Sequence, residues 1–260
     1  MIWKMVKCRE GMVQIIILDS ETTGTEEEDR IIQLAFLVID TENDDKKKIA
    51  LYNNHCNPNV AIKYEAMAVH HITPELIDGL PELKDTDAFK MLTVLNKPEN
   101  ILVIHNAKFD LDMLAKEGFE NKMQIIDTLN IAKHLYPQLD SHSLQYLRYR
   151  GGLYKKEMDY LAGTKIVLKN AHDASADVVF LWILLMEKLL KDHTIEELVE
   201  LNKTPALEYK MKFGKHRGML VESLVKEDPS YITWCLNKMD DLDPSMRYTF
   251  NYWLKNKGEK

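Results

Sequence analysis

Cysteine is scarce in this 260-residue chain, with only Cys8, Cys56 and Cys235. Three is an odd number, they lie far apart, and no CxxC pair occurs. This excludes a disulfide frame and a cysteine zinc site and fits a reducing compartment. Long hydrophobic runs are missing too. The longest, Val178 to Met186, is about half of what a membrane-spanning helix needs. Met1 to Gln14 lacks the apolar core of a secretion signal. The expectation is a cytoplasmic protein with no membrane partner. Repeats and low-complexity stretches are also absent. A hydrophobic content of 45% beside 29% charged residues belongs to a globular chain long enough for one well-buried domain and an appendage. The formal charge of −7 is a poor guide to the partner, because clustered acids can be neutralised by metal.

Apolar β-branched runs predict a sheet. Gln14 to Leu18 reads as a buried central strand ending directly in Asp19. Gln33–Asp40 and Lys48–Cys56 read as two further strands joined by the polar turn Thr41–Lys47. Ile101–Ile104 and Gln124–Asp127 complete a set of five. Asn106 is expected to cap a helix running through Lys116 and stopping near Gly118. Asp173 is expected to cap a long apolar helix from Ala174 to Lys191. Three strands followed by helix, strand and helix predict an α/β domain, here bounded at residues 13–192. A new character begins with Thr194, and Lys203 to Gly218 carries five Lys/Arg against one Glu. Residues 200–260 are read as a small C-terminal module.

Three acidic segments punctuate the first region: Asp19-Ser20-Glu21-Thr22-Thr23-Gly24, His105-Asn106-Ala107-Lys108-Phe109-Asp110 and His172-Asp173-Ala174-Ser175-Ala176-Asp177. Asp19 and Glu21 are two apart on a strand, so both face one side and can share a metal. Asp110 follows Asn106 by four positions on a predicted helix. Asp177 lies one turn inside the last helix, where a lone carboxylate is costly without a cation to bind. His172, with an ordinary pKa near 6.5, suits proton removal from an attacking water. Each piece alone has an everyday surface explanation. Together, four carboxylates and a histidine are the complement of a two-metal phosphodiesterase.

In order and spacing these segments resemble the three motifs of the DEDDh (DnaQ-like) 3′→5′ exonucleases. Val69-His70-His71-Ile72-Thr73 is similar to that family's VHGIT loop, with His71 where glycine is usual. The resemblance implies a ribonuclease H-like fold with a five-stranded mixed sheet flanked by helices. It implies two Mg²⁺ (or Mn²⁺) held by Asp19, Glu21, Asp110 and Asp177, with His172 as general base. It further implies that Thr22, Val69, His70, Asn106 and Phe109 surround the terminal nucleotide. Met211 to Gly218, then Tyr231 and Trp234, resemble the C-terminal module of exodeoxyribonuclease X-like proteins, and Lys212, Lys215 and Arg217 are its candidate DNA contacts. The implied activity is release of 5′-mononucleotides from DNA 3′ ends. RNA trimming, or a silent nucleic-acid-binding subunit associated with a DNA polymerase, are the alternatives.

Overall fold

The computed structural model describes residues 13–40, 49–164, 166 and 173–256. Cys8, the Thr41–Lys47 turn and His172 lie outside the described residues. Residues 1–129 and 143–200 make one compact unit, and residues 130–142 and 201–260 make a second.

The first unit is built on a five-stranded sheet. Its strands are β1 (Gln14–Thr22), β2 (Ile31–Asp40), β3 (Ala50–His55), β4 (Ile101–Ile104) and β5 (Gln124–Asp127), in the order β3-β2-β1-β4-β5. β1 pairs antiparallel with β2 and parallel with β4, and β5 is parallel to β4. β1 and β2 are buried on both faces, which is why their sequences are near-continuous runs of Ile, Leu, Val and Phe rather than alternating ones. Ile16, Leu18, Leu34, Phe36, Leu102 and Ile104 pack on one side against Met113 and Leu114 of the Ala107–Lys116 helix. The opposite side of β1 and β2 is covered by the Ala174–Leu184 helix, every residue of which is buried.

The register explains where the acids go. β4 pairs with β1 only over Ile15–Ile17, so β1 runs past its parallel neighbour and carries Asp19 and Glu21 beyond it. The carboxyl ends of β1, β4 and β5 lie together, which is where sheets of this kind place ligands.

Three expectations need correction. β1 does not end at Leu18 but continues to Thr22, so the strand whose spacing pairs Asp19 with Glu21 includes both. The last long helix ends as an α-helix at Leu184 and continues as a π-turn over Leu185–Leu189. Asn106 occupies the start of the Ala107–Lys116 helix, but its side chain makes no cap bond, because its backbone is left-handed at φ 71°. Asp127 at the end of β5 caps the helix instead, its two carboxylate oxygens accepting the N–H groups of Asn106 at 3.0 Å and Ala107 at 3.1 Å. A strand-end carboxylate thus satisfies two helix donors and sits favourably at the positive end of the helix dipole.

The second unit has its own core, formed by Met211, Val221, Leu224, Val225, Ile232, Cys235, Met246 and Phe250. Apart from Met211, three helices supply these residues: Val221–Glu227, Pro229–Lys238 and Pro244–Lys255. Residues 130–142 are stitched to it by polar contacts. The Asn130 side chain donates to the Thr204 carbonyl at 2.9 Å and accepts from the Ala206 N–H at 2.8 Å. Lys133 pairs at 3.0 Å with Glu208, which is buried. Cys56 and Cys235 are free and buried, and burial pushes the Cys56 thiol up to about 12, leaving it unreactive. No helix among the described residues is long and apolar enough to cross a membrane.

Candidate active site

Strand alternation points Asp19 and Glu21 to the face carrying Ile15 and Ile17, the face that the Ala174–Leu184 helix covers. Asp177 lies in that helix's first turn. One carboxylate oxygen from each of Asp19, Glu21 and Asp177 lies within 4.8 Å of the other two. Asp110 approaches from the opposite face. It is buried, and its Oδ1 accepts a 2.6 Å hydrogen bond from the Ser20 hydroxyl. Ser20, between the two acids of β1, therefore ties the Ala107–Lys116 helix to the strand end.

Four carboxylates so placed disfavour their own ionisation. Asp19 is held well above the ordinary carboxylate range, first by burial and then by repulsion from Asp110, Asp177 and Glu21. Glu21 is pushed up to about 8, by burial and then by Asp177 and Asp110. Burial raises Asp110 to about 7, against the opposing hydrogen bond from Ser20. A group of hard oxygen donors that repel one another is suited to divalent cations. The donor set therefore fits the metal pair that the sequence implies.

Residues that the sequence did not reveal hold Asp177 and its helix in place. Gln145, on the Leu144–Arg150 helix, donates from Nε2 to Asp177 Oδ1 at 2.8 Å. Arg148, one turn on, donates to Gln145 Oε1 at 3.1 Å and pairs through Nε with Glu157 at 2.6 Å. Its guanidinium carbon stands 3.7 Å from the centroid of the Phe180 ring. Asp173 caps its helix as expected, accepting the Ser175 N–H at 3.0 Å. Gln33, fully buried, holds the same helix start by donating to Asp173 at 3.2 Å and accepting from the Ala174 N–H at 3.3 Å.

Glu21, Thr22, Val69, His70 and Phe109 line a cleft of about 440 Å³ beside the carboxylates. Asn106 is not part of that lining. His71 adopts φ 62°, so the left-handed conformation that glycine would supply is kept here by a histidine, at a cost of about 1–2 kcal/mol. His70 is buried and uses both ring nitrogens internally. Nδ1 accepts the Ile72 N–H at 2.9 Å, which leaves Nε2–H to donate to the Thr22 carbonyl at 3.2 Å. Burial lowers its pKa. The imidazole therefore braces the end of β1 as a neutral group.

Gly24 closes the first acidic segment for a steric reason. A Cβ there would lie 2.5 Å from Asp29 Oδ2 and 2.7 Å from Lys63 Cδ, in the middle of the 2.6 Å Asp29–Lys63 ion pair. Gly24→Ala is expected to cost about 2–4 kcal/mol, read as a lower urea midpoint; an unchanged midpoint would show that the pair yields freely.

In the second unit the candidate tail cations are partly committed. Lys212 pairs with Glu208 at 2.9 Å and Lys215 with Asp228 at 3.1 Å, whereas Arg217 is exposed with no ion pair among the described residues. Gly214, at φ 66°, allows Lys215 and His216 to reach Asp228. A Cβ on it would meet the Tyr231 hydroxyl at 2.2 Å. Tyr231 stacks on Trp234, which is 53% exposed.

Comparison with known proteins bears on this arrangement. The Exonuclease family model matches residues 16–180, and the Exodeoxyribonuclease X-like C-terminal model matches residues 211–240. The chain is 25% identical over 241 residues to Exodeoxyribonuclease 10 of Escherichia coli (strain K12), covering 92% of this chain and 98% of that protein. It is 32% identical over 165 residues to the DNA polymerase III subunit epsilon of Treponema pallidum (strain Nichols), covering 59% of this chain and 72% of that one. The solved structure of exonuclease X in complex with 5′ overhanging duplex DNA superposes with a TM-score of 0.52 at 22% identity, over 72% of this chain and 98% of that one. At that identity the likeness speaks for the shared ribonuclease H-like fold. With its sheet, its acidic strand ends and a family match spanning most of its length, the chain belongs to the exonuclease family.

Proposed function

We propose that the protein is a metal-dependent 3′→5′ exodeoxyribonuclease that releases 5′-mononucleotides. The observation that carries this reading is the convergence of Asp19, Glu21 and Asp177 within 4.8 Å, with Asp110 electrostatically joined to them. Likeness to Exodeoxyribonuclease 10 over nearly that protein's whole length supports DNA as the substrate. Asp19, Glu21, Asp110 and Asp177 would hold two Mg²⁺ or Mn²⁺. Such a pair, when bound, neutralises charge on the phosphate and favours ionisation of a water.

The chain's own residues do the rest. The cleft lined by Thr22, Val69, His70 and Phe109 receives the last nucleotide, and Asn106 is a further proposed contact. His172 takes the proton from the attacking water as the P–O3′ bond breaks in line, leaving a 5′-monophosphate on the product and a 3′-hydroxyl on the shortened strand. Residues 13–192 supply the catalytic domain, and residues 200–260 a module contacting DNA through Lys212, Lys215 and Arg217. The likeness to epsilon subunits makes a DNA polymerase a candidate partner, in the cytoplasm.

Digestion of matched end-labelled single-stranded DNA, duplex DNA and RNA in Mn²⁺ tests the reading. A ladder shortening from the 3′ end of DNA is expected, with circular single-stranded DNA left intact. Nicking of circles would make the enzyme an endonuclease, and faster RNA trimming would change the substrate. For the tail, Arg217→Gln is expected to reduce the salt dependence of binding by roughly 0.7 in log–log slope; an unchanged slope would remove Arg217 from the interface.

A further inference from the structure

The Leu144–Arg150 helix has a second role at its far end. Gln145 touches Asp177, and Tyr149 lies four residues on, about 6 Å along the axis at 1.5 Å per residue. Beyond it Gly151 and Gly152 reverse the chain. A Cβ on Gly151 would meet the Leu147 carbonyl at 2.8 Å, and Gly152 adopts φ 69°. The turn brings Tyr154 back to Tyr149, with ring centroids 5.6 Å apart. These rings are not core residues: Tyr149 is 60% exposed and Tyr154 43%.

Cations surround them. The Arg148 guanidinium carbon lies 5.0 Å from the Tyr149 centroid, and Lys155 Nζ lies 5.7 Å from that of Tyr154. Arg150, Lys155 and Lys156 are exposed and have no carboxylate partner among the described residues. Arg148, the inner cation, is already held by Glu157. In a chain of net charge −7, three uncommitted cations beside two exposed, neighbouring rings are a local reversal of sign. The two rings are tilted at 43° to each other rather than stacked, so each offers its own face, and exposed ring faces among cations match a strand with a negative phosphate on every residue and unpaired bases free to stack.

The geometry points to Tyr149, Arg150, Tyr154, Lys155 and Lys156 as a binding surface for single-stranded DNA. Its occupant is the strand leading into the carboxylate site. This deepens the exonuclease reading and rests on it for the identity of the strand, while the surface itself is argued from stacking and charge. Arg148 couples the two, donating to Gln145 on one side and to the Tyr149 hydroxyl at 3.3 Å on the other.

The test is binding of a fluorescent oligothymidylate to the full chain in EDTA, which separates binding from cleavage. Hydrolysis in Mn²⁺ by the wild type then reports on the exonuclease reading independently. Tyr149→Ala/Tyr154→Ala is expected to weaken binding between about fivefold and a hundredfold. Arg150→Gln/Lys155→Gln/Lys156→Gln is fold-safe, since all three side chains are exposed, and is expected to lower the log–log salt slope by roughly 2. Wild-type affinity and slope in the charge variant would overturn the proposal whether or not the tyrosine variant folds. Equal binding of blunt duplex, whose stacked bases cannot reach an aromatic ring, or tighter binding of the matched RNA, would overturn it as well.

Discussion

Asp19→Asn is expected to take DNA cleavage below detection while raising the melting temperature measured in EDTA. The two effects have one cause. Asp19 is held well above its ordinary range by burial and by the charges of Asp110, Asp177 and Glu21, so the apo protein tolerates that carboxylate at a cost which bound cations would offset. Neutralising it removes that repulsion and the burial cost of a charge, and takes away one proposed metal ligand. The wild type should gain stability as Mn²⁺ is added, and the variant much less.

The same cluster sets a pH dependence. Glu21 lies at about 8 and Asp110 at about 7 when folded, above unfolded values near 4. Between these limits the folded chain holds protons that the unfolded chain has released, so unfolding becomes easier with every rise in pH. This contribution is whole below about pH 4 and lost as pH climbs through 7 to 8. Melting in EDTA should therefore fall across pH 5.5 to 8.5, with Mn²⁺ flattening the curve. Near-normal cleavage by Asp19→Asn, or a pH-independent melt in EDTA, would dismiss these carboxylates as metal ligands.

The second large effect concerns His172. His172→Ala is expected to lower turnover by about 10²–10⁴, the range for losing a general base, while Mn²⁺ still stabilises the protein. In the wild type, activity should rise with pH through the histidine titration near 6.5, and the variant should lose that limb. A variant that keeps the wild-type profile would assign proton removal to another group.

The parts of this protein that could be read from its sequence are those fixed by local rules. The apolar runs marked β1, β2 and β4, because strands buried on both faces are filled chiefly with Ile, Leu, Val and Phe. Asp19, Glu21 and Asp177 converge, and their two-residue spacing and first-turn position express strand and helix geometry. Asp173 caps its helix through a neighbour two residues away. What escaped depends on distant partners. Gln33 reaches Asp173 across 140 positions, and Gln145 reaches Asp177 across 32. Asp127 took over a cap that local preference awarded to Asn106, because a neighbouring strand end offered a charged acceptor to the same N–H groups. The Tyr149–Tyr154 pair was hidden for another reason. Only the Gly151–Gly152 reversal brings the rings together, and a turn's direction is not written in hydrophobic periodicity.

The contribution of residues 130–142 to the second unit makes that unit discontinuous along the chain. A single cut after Glu200 would leave Asn130, Lys133 and their neighbours on one fragment and Thr204, Ala206 and Glu208 on the other. A protease nick there should yield two pieces that co-elute until denatured. During synthesis, Asn130 and Lys133 must wait for 74 to 76 further residues before their partners leave the ribosome.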